Sequence, residues 1–175
     1  MRLKVKISLI IVFGLFMLKT NTCAAQKFTK HELKSAYVYN FIRFVDWLPE
    51  KETISIGIIG NNQFTEVLKY KLTNQKIENI QLKVNQFFEL QDYTSCDVIY
   101  IANDDNIDDE IILEKIKGKS ILTIGEKDGF CLKGGIINFI EGDNGNYFFE
   151  INQKIALQEK IKISSKLLKL AIDIK

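Results

Sequence analysis

Ile54-Ser-Ile-Gly-Ile-Ile59, closed by Gly60, Asn61 and Asn62, decides how this 175-residue chain folds. A short run rich in Ile that ends at a glycine and meets helix-capping asparagines reads as a strand feeding a helix, here about 62–72. The unit recurs. Asp97-Val-Ile-Tyr-Ile-Ala102 is a nearly continuous apolar strand. It leads into the acidic stretch 104–110, which opens a helix reaching about Ile116, because acids in a first turn suit the helix dipole. Ile121-Leu-Thr-Ile124 is a further strand, and residues 77–84 hold another, with alternation at Ile80, Leu82 and Val84. Such strands, separated by helices, predict βαβ units and a parallel sheet covered on both faces.

On the amino-terminal side, Leu33, Ala36, Tyr37, Phe41, Phe44, Val45 and Leu48 follow helical spacing, so residues 30–48 read as a helix. The chain's single proline, Pro49, ends it. On the carboxyl side the rhythm changes after Gly134. Segments 135–140 and 146–151 flank Glu141-Gly-Asp-Asn-Gly145, a turn composition, and predict a hairpin. Helices near 153–160 and 165–174, capped by Asn152 and Ser164, close the chain. The last is expected to pack Leu167, Leu168, Ala171 and Ile174 on one face. The expected class is therefore α/β: a single three-layer domain with a mostly parallel central sheet flanked by helices, a C-terminal β-hairpin and closing helices.

Residues 1–25 read as a cleaved secretory signal. Arg2, Lys4 and Lys6 precede the apolar run Ile7–Leu18, and Ala24 and Ala25 offer a cleavage site. The run is shorter than the ~20 residues of a membrane span. Thr20-Asn21-Thr22 departs from a lipobox, so Cys23 belongs to the discarded peptide. Residues 26–175 then form one domain, expected in the periplasm. The leader holds four basic residues and no acid, which leaves 20 Lys/Arg against 22 Asp/Glu. Nothing in that balance suits nucleic acid, which needs a concentrated basic footprint.

Chemistry is sparse. His31 is the only histidine, so multi-histidine metal sets are excluded and any Ser–His–Asp triad would depend on it alone. The 104–110 stretch lacks the EF-hand glycine and terminal glutamate, and reads as a solvated helix start. No enzyme, metal or cofactor is expected. Cys96 precedes one parallel strand and Cys131 follows the next. That puts the thiols at opposite ends of the sheet, about 20 Å apart, whereas a disulfide needs Cα atoms within about 7 Å. Both are expected to be free. Glu150, in Tyr147-Phe-Phe-Glu-Ile151, shares a strand face with Phe148. A carboxylate among aromatics needs a partner, in this chain or outside it.

Leu33-Lys-Ser-Ala-Tyr-Val-Tyr-Asn-Phe-Ile-Arg-Phe-Val-Asp-Trp47 resembles the amino-terminal helix of the YfiR family, except that Leu48 stands between Trp47 and Pro49. Segments 56–60, 95–97, 121–125, 134–139, 149–152 and 163–171 are similar to that family too, in order. The resemblance implies a periplasmic α/β domain, often dimeric, that represses an inner-membrane diguanylate cyclase in cyclic-di-GMP signalling. An outer-membrane lipoprotein sequesters some members. It also implies cysteine pairs in some relatives. Here Cys96 and Cys131 match family cysteines whose partner positions are Gly57 and Asn138.

The expected function is regulation of an inner-membrane signalling protein, a diguanylate cyclase-type protein or a histidine kinase, by protein–protein binding. The candidate contact residues are Glu150, Asn152, Asn138, Lys162, Ser164 and Ser165. The alternative is a periplasmic small-molecule-binding sensor, its ligand held near Gly60, Asn103 and Gly125 outside the carboxyl ends of the parallel strands.

Overall fold

The computed structural model describes residues 29–47, 51–87 and 93–175. The leader expected at 1–25 and Pro49 lie outside the described residues. No helix among the described residues is long and apolar enough to cross a membrane.

The chain begins with α1 (Lys30–Arg43), capped by Thr29 and Glu32 in a reciprocal capping box. It ends five residues short of the expected 48. Val45–Asp46 instead forms a short strand, β1, paired antiparallel with a later segment at Val45↔Ile163 and Asp46↔Lys162. Phe44 O also accepts from Ser164 N. Backbone pairing to residues 162–164 therefore sets the helix end before any proline effect operates.

β2 (Thr53–Ile59) is followed by α2 (Gln63–Leu72), which Asn62 caps as expected. β3 (Lys76–Ile77) and β4 (Ile80–Phe87) split the single strand expected at 77–84. Glu78 turns there with φ 56°, a left-handed conformation that breaks an extended run. β5 (Val98–Ile101) leads to α3 (Asp109–Ile116), then β6 (Leu122–Gly125). α3 starts later than the acidic stretch suggested. Asp104 folds back on Asn106, and Asp108 supplies the cap to Glu110 N and Ile111 N.

The predicted hairpin is β7 (Ile137–Glu141) with β8 (Tyr147–Ile151), in register from Ile137↔Ile151 to Glu141↔Tyr147. α4 (Gln153–Gln158), β9 (Lys162–Ile163) and α5 (Ser165–Leu168) follow. The long final helix is not formed. α5 is four residues, and Asp173–Ile174 becomes β10, parallel to β8. The open edge of β8 captures this segment. Ile172 N donates to Phe149 O, and Lys175 N to Ile151 O.

The eight-stranded sheet has the order β10-β8-β7-β6-β5-β2-β4-β3. β4, β2, β5, β6 and β7 run parallel. Ile54, Ile56, Ile58, Val98, Tyr100, Leu122 and Ile124 pack on one side with Phe41 of α1 and Leu68 of α2. Ile59, Ile99 and Ile101 pack on the other with Ile112, Leu113 and Ile116 of α3. This alternation makes the three layers, an α/β domain with a mostly parallel central sheet.

Candidate functional site

The hairpin register sets Asn138 opposite Glu150. Phe139 and Phe149 pack on Phe41 of α1, with ring centroids 5.2 and 4.8 Å away. Strand alternation therefore turns Asn138 and Glu150 to the opposite face. Both are buried. Asn138 Nδ2 donates to Glu150 Oε1 at 3.3 Å. The Lys175 ammonium closes on Glu150 Oε2 and, at 2.9 Å, on Asp173 Oδ2. These carboxylates, Glu150 first, raise the Lys175 pKa above its usual value. Asn152 caps α4 by accepting from Ile155 N, and its Nδ2 donates to Cys131 O at 2.8 Å. Burial, aided by the Glu150 charge, pushes the Cys131 thiol up to about 12. A thiol held protonated is a poor nucleophile. The knot of Asn138, Glu150, Asn152, Cys131 and Lys175 thus satisfies itself almost entirely. Within the knot, Asn138 Oδ1 is the side-chain atom left buried without a hydrogen-bond partner among the described residues.

Lys162, Ser164 and Ser165 belong elsewhere. β9 pairs with β1 beside α1, on the face to which Phe149 points. Lys162 is exposed and pairs with Asp46 at 2.8 Å, which raises its pKa. Ser164 caps α5 by accepting from Lys166 N, and Ser165 is exposed. The six candidate residues therefore fall into two groups, an internal knot on one face and a surface corner on the other.

Of the alternative residues, Gly60 lines a cavity of about 360 Å³ with Ile59, Asn61 and the 104–112 segment. Gly125 does not. A Cβ there would stand 2.5 Å from the Phe130 ring, which fills that space. Asn103 is exposed and does not line the cavity. His31 packs against Phe64, ring centroids 5.8 Å apart. Cys96 and Cys131 are both buried, and neither carries a disulfide.

One cluster escaped the sequence reading. Lys34, 4 % exposed, ion-pairs with Glu126 just after β6. Its ammonium lies 4.5 Å from the Phe64 ring centroid and 5.1 Å from those of Phe139 and Tyr147. Burial pulls the Lys34 pKa down while Glu126 opposes it. A lysine four residues before the core Val38 on the buried helix face was the available signal.

A conserved domain protein of Vibrio cholerae shares the fold. It aligns with a TM-score of 0.58 at 18 % identity over 81 % of this chain, which spans 60 % of that protein's length. The ABC domain in complex with L-Trp from Streptococcus pneumonia aligns at a TM-score of 0.49 and 12 % identity, covering 70 % of this chain and 55 % of that one. No curated protein matches the sequence. The family description YfiR/HmsC-like matches residues 31–172, from the first turn of α1 to the segment that docks on β8. The chain belongs to the YfiR/HmsC-like family.

Proposed function

We infer that this chain is an exported regulator that controls an inner-membrane signalling protein of the cyclic-di-GMP system by binding it. The observation that carries this reading is the family match across residues 31–172, which takes in every layer of the domain. The knot at Asn138, Glu150 and Asn152 supports a fixed hairpin rather than a reaction centre, because the Cys131 thiol is buried and held protonated and the Glu150 carboxylate is tied to Asn138 and Lys175. The partner-facing part of the candidate set is the β9–α5 corner, where Lys162 and Ser165 are exposed. Asn138, Glu150 and Asn152 act from behind, holding the strand that β10 joins. A cleaved leader at 1–25, a homodimer and sequestration by an outer-membrane lipoprotein belong to the same reading.

A photocrosslinking residue at Ser165, in protein expressed in its own envelope, tests it. Capture of a membrane protein bearing a cyclase or kinase domain, with cyclic-di-GMP rising on deletion of this chain, is the expected result. An unchanged nucleotide level together with no such capture overturns the regulator reading.

A further inference from the structure

The parallel core has the order β4-β2-β5-β6-β7, so the chain moves from β2 to one side and then returns to the other. The connections leaving β2 and β5 consequently diverge, α2 to one face and α3 to the opposite one. A crevice opens outside the carboxyl ends of strands wherever an open sheet reverses in this way. The 360 Å³ cavity lies there, within the size range of small-molecule sites.

Its rim is tightly built. Gly60 has φ 102°, and a Cβ on it would come within 2.8 Å of both Ala102 Cβ and Ile107 Cδ1. Glycine lets the two loops close on each other. Ile59, Ile107 and Ile112 supply an apolar floor. Tyr93 joins them at 1 % exposure, and its hydroxyl has no hydrogen-bond partner among the described residues.

The charge is one-sided. Asp104 and Asp108 line the cavity and no Lys or Arg does among the described residues. Each spends one oxygen locally: Asp104 Oδ1 on Asn106, Asp108 Oδ1 on Glu110 N and Ile111 N. Neither makes an ion pair with a described residue. At the start of α2, Asn62 and Thr65 cap each other's amides, which ties up part of that helix N-terminus. No group of three metal-ligating side chains assembles among the described residues.

We propose that this crevice binds a small organic monocation, an amine with an apolar body. The ammonium sits between the Asp104 and Asp108 carboxylates and the apolar part lies on Ile107, Ile112 and Tyr93. Lys127, whose ammonium reaches the lining residue Ile107, is spent on the Ile107 carbonyl and on Asp109, so the two lining carboxylates over an apolar floor favour a positive headgroup and disfavour a carboxylate-bearing ligand. This goes beyond binding of a protein partner and gives the small-molecule alternative a defined pocket.

The probe is 2-phenylethylamine, titrated into the purified protein and followed by amide shifts of Gly60, Asn61 and Asn106. Saturable shifts are expected with the amine, and much weaker ones with neutral 2-phenylethanol or zwitterionic L-phenylalanine. Asp104→Asn and Asp108→Asn keep the oxygen that accepts from the backbone and remove only charge. Each should weaken the amine about threefold, as for part-exposed ion pairs, with an unchanged melting temperature. Equal binding of the alcohol, undiminished binding by the double variant, shifts centred elsewhere, or displacement by calcium overturns the proposal.

Discussion

Cys96 Sγ lies 3.0 Å from the position that a Cβ on Gly57 would take. That separation is roughly the one between a Cβ and the far sulfur of a disulfide, given the S–S bond length. The site of a cross-link is thus present with one half missing. The nearest obstruction is Phe87 Cε2, 2.9 Å from the same point, the end of a side chain rather than backbone.

Gly57→Cys should therefore oxidise to an intramolecular disulfide with Cys96. Intact mass after alkylation should show two blocked thiols on reduction that are absent before it. Closing the loop between residues 57 and 96 stabilises by up to about 4 kcal/mol, less the cost of moving Phe87. A variant that remains fully alkylated without reductant would show that the Phe87 ring does not give way.

How this geometry could and could not be foreseen follows from the range of the forces involved. Ile54–Ile59, Val98–Ile101 and Leu122–Gly125 are legible as strands because burial on both faces forces a continuous apolar run. Asn62, Asn152 and Ser164 are legible as caps because their side chains reach only two or three residues along the chain. The ends of α1 and α5 are not, because distant strands take the backbone that would have continued them. β9 takes residues 45–46 and β8 takes residues 173–174. The same limit hid the state of Glu150. Its position in the hairpin follows from the local pattern, but its partner is Lys175, placed by the docking of β10.

Glu150→Lys sets an ammonium against Lys175 in a space 7 % exposed, and leaves Asn138 Nδ2 without its acceptor. The variant should lose about 3 kcal/mol or more in urea unfolding. Lys175→Ala, which only strips the cation, should cost about 2 kcal/mol, and Glu150→Gln in that background should recover part of it. A Glu150→Lys protein with an unchanged melting temperature would mean that this side chain reaches solvent and is open to a partner.

Asp109 gives a pH signature. It is 3 % exposed at the start of α3, neither oxygen makes a hydrogen bond to a described residue, and Lys127 Nζ stands 3.7 Å away. Burial raises its pKa above the usual aspartate value, with Lys127 pulling the other way. The folded state then holds this proton to higher pH than the unfolded chain does. Its contribution favours folding at low pH and is lost as pH rises from the unfolded value through the raised one. Asp109→Asn should accordingly raise stability by about 1 kcal/mol at pH 7. The gain should shrink on acidification and vanish below the unfolded aspartate pKa, about 3.9. Urea midpoints for both proteins at pH 7 and pH 3.5 read this directly, and a gain independent of pH would assign the effect to packing.

The Lys34–Glu126 pair separates the cost of a buried charge from the value of the contact. Lys34→Met leaves Glu126 under α1 with no ammonium, and Glu126 Oε1 is already without a hydrogen-bond partner among the described residues. That substitution should cost about 3–5 kcal/mol, the range for breaking a buried pair. Glu126→Gln alone should also destabilise, because the Lys34 charge stays buried among Phe64, Phe139 and Tyr147 and then meets a neutral amide oxygen in place of the adjacent carboxylate. The double variant Lys34→Met, Glu126→Gln removes both charges and keeps the volume. It should lie within about 1 kcal/mol of the parent, with a coupling of at least about 2 kcal/mol between the two sites. Additive losses in that cycle would mean that the ring cage, rather than the carboxylate, holds the Lys34 ammonium.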